Sequence, residues 1–321
     1  MRLFLMATLW VASVSHAQTA WNLASGYSAD AFHTKNLQSF AQDVRETTGG
    51  RLNITVNPAG ALVQLAAIPS AVEAGEIQAG ETIMTNLVAD MPIAGADTIP
   101  FVVKSYGDAL RLWTLQRPLV EKAFVQRGFK ALYAVPWPPQ GLYAKRPLKS
   151  LSDLKGSSMR TYNQSTVRLA EMLGARAVPV PMAEVNAALL SGKVTSMITS
   201  AVTGVENKVW AHVQHYYPIN AWFPKNIVFA NLKAFESLSP GEQQAVIEAS
   251  RRAEKRGWAM SQQQEAAATA ELSRQGILVE QLPHEFERAF KRMGERFSVE
   301  WLRSVGNDAN QIFIPYYSTS E

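Results

Sequence analysis

Cysteine is absent from the sequence, which excludes disulfide bonds, metal–thiolate sites and the lipid-modified cysteine of a lipoprotein. The chain also lacks the Gly-x-Ser-x-Gly turn of serine hydrolases, the Gly-x-Gly-x-x-Gly dinucleotide fingerprint and the phosphate-binding P-loop. No nucleophilic side chain is paired with a recognisable base in the sequence. We therefore predict that the protein is not an enzyme, and we expect no cofactor and no bound metal.

Charge of one sign is not concentrated in any part of the chain. The net charge is +4 and the pI is near 9.2, but 31 Lys and Arg residues are scattered among 27 Asp and Glu residues. No basic run is interleaved with aromatic residues, so nucleic acid is not a predicted partner. A length of 321 residues, with 47% hydrophobic and 18% charged residues, is typical of a folded protein of about two domains.

A short apolar segment opens the sequence. Arg2 precedes the apolar stretch 3–14, and the small-x-small tripeptide 15–17 follows it. About twelve apolar-leaning residues are too few to span a bilayer, which requires roughly 20. The pattern predicts a cleavable signal peptide over 1–17, and the alternative is a buried first helix. We expect the mature protein to start near Gln18 and to be free in the periplasm of a bacterium.

The mature chain begins with alternating strand and helix signals. Strands are predicted at 21–25, 52–56 and 77–83, and helices at 35–47 and 61–74. This β-α-β-α-β order predicts a parallel sheet and an α/β fold. Further on, the pattern predicts helices at 106–116 and 118–127, and strands at 129–135, 219–222 and 227–232.

One predicted helix is much longer than the others. Ser239 is a favourable N-cap and Pro240 a favourable first helical residue, and the helical pattern then continues to Gly276. About 35 residues at 1.5 Å each make roughly 50 Å. A coiled coil is the alternative, but the heptads are poor and rich in alanine. A helix that braces two lobes fits the pattern better.

The segment 150–181 places an arginine where ligands bind in α/β proteins. Residues 159–162 read as a short strand that carries Arg160, and Asn163 is a natural N-cap for the helix that follows. Ligands bind at the carboxyl ends of strands, and a helix N-terminus favours an anion. The planar guanidinium of arginine matches a carboxylate bidentately. For an isolated arginine, a surface ion pair is the plainer interpretation.

Several short motifs in a fixed order favour the ligand-binding interpretation of Arg160 over the surface ion pair. They are FAQDV at 40–44, TGGRL at 48–52, VNPAG at 56–60, VEAG at 72–75, IPF at 99–101, LSDLKG at 151–156, MR at 159–160, LGA at 173–175, VPM at 180–182 and ALLSGKV at 188–194. With these motifs, nearly the whole mature chain resembles the solute-binding proteins of tripartite ATP-independent periplasmic (TRAP) transporters. The resemblance implies two α/β lobes, a hinge and a long helix across both.

The resemblance also implies a function and a division of the chain. The function is capture of a small organic acid and its delivery to the integral-membrane subunits of a TRAP permease, with the receptor itself a monomer. Lobe I is expected to comprise 18–136 plus about 220–240, and lobe II 137–219 plus parts of the C-terminal region. The bridging helix is expected over about 240–275, with a C-terminal strand and helices in 276–321.

In the family, the arginine at the position of Arg160 binds the ligand carboxylate, and this role is carried over. A second arginine of some members aligns with Gln140, and a ligand-facing asparagine aligns with Thr199, so we expect a ligand with one carboxylate. Neutral hydrogen bonds are expected from Gln140, Thr199 and Ser200. The remaining predicted ligand-binding residues are the possible apolar walls Trp137, Tyr162 and Trp222, together with Tyr27, Glu81, Asn163 and Asn226. Glu81 is either a polar contact in the cleft or a partner for a nearby base.

The segments around Trp137 and Trp222 resemble a branch of the family that includes receptors for pyroglutamate-like lactam acids. Three alternatives remain open. His212 and His215, three residues apart on a predicted helix, are either a metal pair or two surface histidines, the second being the plainer interpretation. His33 either lines the cleft or caps the first helix. The whole protein is alternatively a receptor for an ABC importer or an exported enzyme that acts on a small organic acid.

Overall fold

The computed structural model describes residues 18–318, so the predicted signal peptide lies outside the described residues. The strands are β1 Thr19–Ala24, β2 Leu52–Asn57, β3 Ala79–Ile83, β4 Phe129–Pro136, β5 Gln140–Ala144, β6 Ser158–Thr161, β7 Arg176–Pro179, β8 Ser196–Ser200, β9 His215–Tyr217, β10 Lys225–Asn231 and β11 Leu278–Val279. The helices are α1 Phe32–Thr47, α2 Ile68–Glu73, α3 Tyr106–Gln126, α4 Gln164–Met172, α5 Val185–Leu190, α6 Ala201–Glu206, α7 Leu232–Glu236, α8 Pro240–Arg274, α9 His284–Val305 and α10 Asn307–Ser318.

The strands form two separate sheets, which confirms the predicted two-lobe α/β fold. The first sheet has the order β2-β1-β3-β10-β4, and the second has the order β11-β9-β5-β8-β6-β7. The predicted parallel pairing holds for β1 with β2 and with β3, whereas β10 returns from the second sheet and pairs antiparallel with β3 and β4. Both sheets are therefore mixed, and the chain enters the first sheet twice.

Two of the crossings between the sheets are neighbouring segments of the chain, and the third is made by α8. The outward crossing joins β4 to β5, and the return crossing joins β9 to β10. The two crossings hydrogen-bond to each other: the amide of Trp137 donates to the carbonyl of Pro224 at 2.8 Å, and the amide of Gln140 donates to the carbonyl of Trp222 at 3.0 Å. This paired crossing is the hinge, and the buried aromatic residues Trp137 and Trp222 lie on it.

Helix α8 is continuous over 35 residues, as predicted. A capping box starts it, in which the Ser239 hydroxyl accepts from the backbone of Glu242 and the Glu242 carboxylate accepts from the backbone of Ser239. The helix packs on α1 and β4 beside the first sheet and on α6 and β11 beside the second. Each of the two large apolar clusters likewise contains residues from both sheets, so the lobes share their cores.

Three predicted elements are wrong. Two helices were expected at 106–116 and 118–127, but α3 runs through Pro118, because the buried side chains of Trp113, Val120 and Phe124 hold both halves against the core. The predicted helix at 61–74 is reduced to a 3₁₀ turn and α2. The predicted strand at 219–222 is irregular chain outside the strands, since it belongs to the hinge and Asn220 has the left-handed φ of 45°.

The two histidines predicted on one helix are not on a helix. His212 follows a short 3₁₀ turn, and His215 lies on β9, where its Nδ1 is 2.7 Å from a carboxylate oxygen of Glu280. The structure thus gives His215 a partner that the metal-pair interpretation did not include. Across residues 18–318, the chain has no helix with both the length and the apolar character required to cross a membrane.

Candidate functional site

A cavity of about 620 Å³ lies at the hinge between the two sheets. This size is within the range of roughly 300–1,000 Å³ that is usual for small-molecule sites. Eight of the predicted site residues line it, namely Tyr27, Trp137, Gln140, Arg160, Tyr162, Asn163, Thr199 and Ser200. Of the described residues that line the cavity, only Arg160 is charged.

Arg160 is held on β6 between two other strands of the second sheet. It pairs with Val178 of β7 and Met197 of β8, and its Nε donates to the carbonyl of Val180 at 3.0 Å. Its guanidinium carbon is 4.9 Å from the centre of the Tyr162 ring. These contacts fix the side chain and use one of its nitrogen atoms, which leaves the two terminal nitrogens of the fork for another partner.

The positive charge of Arg160 is not neutralised by the protein. The residue is 4% exposed, and no acidic side chain among residues 18–318 pairs with it. Burial lowers the pKa of Arg160 from its ordinary value to about 10. A buried cation without a counter-ion is costly, and such groups are normally paired. The site therefore has an electrostatic requirement that a bound anion would meet.

Asn163 has its amide oriented by the helix that it caps. The side-chain oxygen Oδ1 of Asn163 accepts from the backbone N–H of Thr166 at 2.9 Å. The backbone N–H of Asn163 donates to the Thr166 hydroxyl at 3.1 Å. This capping box confirms the predicted start of α4. The Asn163 side-chain NH₂ group has no partner among the described residues, and neither has the Thr161 hydroxyl, although both residues line the cavity.

The neutral predicted residues of the second sheet also lie at the cavity. The Gln140 side-chain NH₂ donates to the carbonyl of Pro138 at 2.9 Å, while its oxygen faces the Tyr162 hydroxyl at 3.4 Å. Burial raises the pKa of Tyr162 to about 12, so this hydroxyl keeps its hydrogen at neutral pH. Thr199 and Ser200 end β8, and Ser200 is also the N-cap of α6, since its hydroxyl accepts from the backbone of Thr203.

Three predicted contact residues are not among those that line the cavity. Asn226 and Glu81 lie behind the wall, where the Asn226 NH₂ donates to Glu81 at 3.0 Å. Trp222 is 2% exposed and belongs to the apolar core at the hinge. The expectation of direct contact is corrected for these three residues, because their side chains are used by neighbouring protein groups or by core packing.

Glu81 is a partner for a nearby base, which was the second of its two interpretations. Its carboxylate is 3.3 Å from Nδ1 of His33 and also accepts from the Ser25 hydroxyl at 2.8 Å. His33 neither lines the cavity nor caps the helix, because α1 begins one residue earlier and buries the imidazole against Trp137 at a centroid distance of 4.4 Å. The sequence did not indicate that these groups meet.

Other lining residues were missed by the sequence analysis. They include Gln64, Leu65, Ala66 and Asn86 from the first lobe and the run from Pro179 to Met182 from the second. Leu65 lies so close to Gly26 that a Cβ on the glycine would be 2.6 Å from the Leu65 Cβ. The glycine thus admits the segment 64–66 to the cavity wall. In the sequence, only the glycine before Tyr27 could have indicated that another segment approaches the backbone there.

A second buried cation lies near the hinge. Nζ of Lys225, at the start of β10, is 3.0 Å from the carboxylate of Asp97, and both side chains are almost fully buried. The backbone amide of Lys225 donates to the same carboxylate at 2.8 Å. Burial raises the pKa of Asp97 and lowers that of Lys225, because desolvation disfavours both charges. This ion pair does not line the cavity.

Comparison with known proteins gives a family and close structural relatives. The sequence model of the bacterial extracellular solute-binding proteins of family 7 matches residues 23–302. A solute-binding protein of Verminephrobacter eiseniae is 26% identical over 82% of this chain and 79% of its own length. DctP6 of Bordetella pertussis, an extracytoplasmic solute receptor that binds pyroglutamic acid, is 34% identical with a TM-score of 0.91, covering 94% of this chain and 100% of that chain. A TRAP solute-binding protein from an unidentified marine microbe, specific for pyroglutamate, has the same identity, TM-score and coverage.

Proposed function

Because the chain belongs to the bacterial extracellular solute-binding proteins of family 7, we propose that its cavity binds a small monocarboxylic acid of the lactam type, held through Arg160. The protein is a TRAP-type solute-binding protein that captures a small organic acid outside the cytoplasm and delivers it to a membrane permease. The ABC-importer alternative is not favoured by these similarities, and the family is one of receptors and not of enzymes.

The observation that carries the proposal is the uncompensated charge of Arg160. A ligand carboxylate would accept hydrogen bonds from the free end of the guanidinium and neutralise a charge that the protein leaves without a counter-ion. The unpartnered NH₂ of Asn163, on the same wall, offers a further donor. The two terminal nitrogens of the Arg160 fork are themselves suited to the two oxygens of one carboxylate.

The rest of the cavity argues for a single carboxylate. Since Arg160 is the one charged side chain among the described lining residues, a second carboxylate would be desolvated without a cation to pair with it. Gln140, Thr199 and Ser200 offer neutral hydrogen bonds, and Trp137 and Tyr162 offer ring surfaces. The two receptors at 34% identity that bind pyroglutamate make a five-membered lactam acid the best candidate.

The lining residues come from both lobes, which supports closure on the ligand. Tyr27 and Asn86 belong to the first lobe, and Arg160 and Thr199 to the second. A ligand that contacts both walls favours the closed form by its difference in affinity for the two forms. We propose the lobe boundaries near the hinge segments, with the mature receptor a periplasmic monomer released by cleavage after residue 17.

The proposal is tested with a matched pair of probes. Mass spectrometry of small molecules extracted from the purified protein identifies a co-purified acid. Calorimetry then compares L-pyroglutamate with its carboxamide, which keeps the ring and removes the negative charge. We expect the acid to bind at least about 100-fold more tightly, since the carboxamide leaves the buried Arg160 unpaired. Equal affinities would place the recognition of the ligand away from Arg160.

A further inference from the structure

A hydrogen-bond network stands behind the first-lobe wall of the cavity. The Asn226 side-chain oxygen accepts from the Trp137 indole N–H at 2.9 Å and from the Tyr27 hydroxyl at 3.2 Å. The Asn226 NH₂ donates to Glu81, whose other oxygen accepts from Ser25. Tyr27 and Trp137 line the cavity, whereas Asn226 and Glu81 do not. The network therefore connects two buried polar side chains to two residues of the wall.

The orientation of the Asn226 amide is determined by its partners. An indole N–H can only donate, so the group that faces Trp137 must be the amide oxygen. The NH₂ group then points to Glu81, which is positioned to accept from it at 3.0 Å. A flipped amide would place NH₂ against the indole N–H and oxygen against the carboxylate, and it would lose both hydrogen bonds.

This orientation fixes what Tyr27 and Trp137 can offer a ligand. Both direct their hydrogens to the same oxygen of Asn226, so the hydroxyl of Tyr27, a residue that lines the cavity, can accept a further hydrogen bond but has no free hydrogen to donate. Burial raises the pKa of Tyr27 above its ordinary value, which keeps this hydrogen in place. The Trp137 N–H also approaches the Tyr27 oxygen, but a phenolic oxygen has a second lone pair. The opposite wall, with Arg160 and Asn163, presents donors.

The Tyr27 oxygen and the Arg160 guanidinium thus have opposite hydrogen-bonding character. We propose that the Tyr27 oxygen is a specificity-determining acceptor, which selects acids that carry an N–H or O–H donor on the side opposite their carboxylate. Asn226 and Glu81 are positioning residues that keep Tyr27 in the accepting state. The inference rests on the proposed function, since it requires the carboxylate to be bound at Arg160, and it explains why a lactam N–H would be recognised.

The experiment measures a ratio of affinities for two acids. The probes are L-pyroglutamate and its lactone isostere, 5-oxotetrahydrofuran-2-carboxylate, in which a ring oxygen replaces the N–H. We expect the wild-type protein to bind the lactam at least about tenfold more tightly, because the lactone places an acceptor against an acceptor. Tyr27→Phe removes the acceptor and should reduce the ratio to within about threefold.

Two further variants separate positioning from general damage. Asn226→Leu frees the Tyr27 hydroxyl to donate to the lactone, so the ratio should fall although Tyr27 is retained. Arg160→Ala should weaken both acids by a similar factor and leave the ratio unchanged. If Asn226→Leu does not fold, Tyr27→Phe alone decides the role of the acceptor.

A wild-type ratio within about threefold, or a wild-type ratio retained in Tyr27→Phe, would overturn the inference. A folded Asn226→Leu protein with the wild-type ratio would overturn the positioning role. If the wild-type protein binds neither acid, the inference is overturned as well, because the inference specifies lactam-type acids as the ligands. A failure of the proposed function is recognised separately, as binding of both acids that is insensitive to Arg160→Ala.

Discussion

Lys225 and Arg160 are both buried cations close to the hinge, and they differ in their partners. Lys225 is fully buried and lies 3.0 Å from the carboxylate of Asp97. Arg160 is 4% exposed, has no acidic partner among the described residues and faces the cavity. A cation with an internal counter-ion serves the fold, whereas one without it is suited to an external anion. We therefore propose a structural role for Lys225 and a ligand-binding role for Arg160.

The largest expected effect is on stability, at the paired cation. Lys225→Met leaves Asp97 as a buried charge without a partner, and breaking such a pair costs about 3–5 kcal/mol of unfolding free energy. Urea denaturation measures this loss. Lys193→Met, at an exposed position, is the matched control and should change stability by less than about 0.5 kcal/mol.

The double variant Asp97→Asn/Lys225→Met should recover part of that loss, because it also removes the unpaired carboxylate. The affinity of the folded protein for L-pyroglutamate should remain unchanged. If Lys225→Met is as stable as the wild type, the ion pair does not stabilise the hinge, and the structural role assigned to Lys225 is wrong.

The second effect is on binding, at the unpaired cation. Arg160→Ala should cost about 2–5 kcal/mol of binding free energy, since it removes one partner of a desolvated charge pair. This corresponds to roughly one and a half to three and a half decades in the dissociation constant. Arg160→Lys keeps the charge without the planar fork, so it should recover only a part of the binding free energy that Arg160→Ala loses. Calorimetry with L-pyroglutamate gives the constants, and urea denaturation confirms that the variants fold.

An Arg160→Ala protein that is folded and binds within about threefold of the wild type would place the carboxylate elsewhere. An Arg160→Lys protein with the wild-type affinity for L-pyroglutamate would show that the positive charge is sufficient and that the geometry of the guanidinium is not required.

Local signals in the sequence were sufficient for several parts of the structure. Ser239 and Pro240 predicted the start of α8, and the unbroken helical pattern predicted its length, because capping and periodicity depend on neighbouring residues alone. Arg160 and Asn163 were predicted for the same reason, as a strand end followed by an N-cap. The family resemblance supplied the role that these local signals left open.

Interactions between distant segments could not be predicted in this way. Pro118 predicts a helix boundary locally, but core packing on both sides keeps α3 continuous. Asn226 and Glu81 are 145 positions apart, and nothing in either segment indicates that they share a hydrogen bond behind the cavity wall. The segment 64–66 lies at the cavity beside Gly26, which is about 40 positions away, and a side chain larger than that of glycine would collide with Leu65 there. The hydrogen-bond network behind the cavity wall was therefore less predictable than the position of Arg160.

The smallest expected effect is a gain in stability on replacing Arg160, in contrast to the loss of stability expected for Lys225→Met. Without a ligand, Arg160 lowers the stability of the folded state, because burial lowers its pKa from the ordinary value to about 10. At about 1.36 kcal/mol per pKa unit, this shift is worth at most about 3 kcal/mol. Arg160→Met removes the buried charge at similar volume, but it also loses the bond from Nε to Val180, which is worth about 1 kcal/mol.

The ligand-free Arg160→Met protein should therefore be more stable than the wild type by about 1–2 kcal/mol. A base whose pKa falls on folding destabilises the protein fully at every pH below its folded pKa, and the penalty is relieved only as the pH rises above about 10. The gain should accordingly be the same at pH 6 and pH 9. Urea denaturation of protein refolded without ligand measures it at both values. A ligand-free variant that is less stable than the wild type would mean that Arg160, like Lys225, is compensated within the protein, and the contrast between the two cations would be lost.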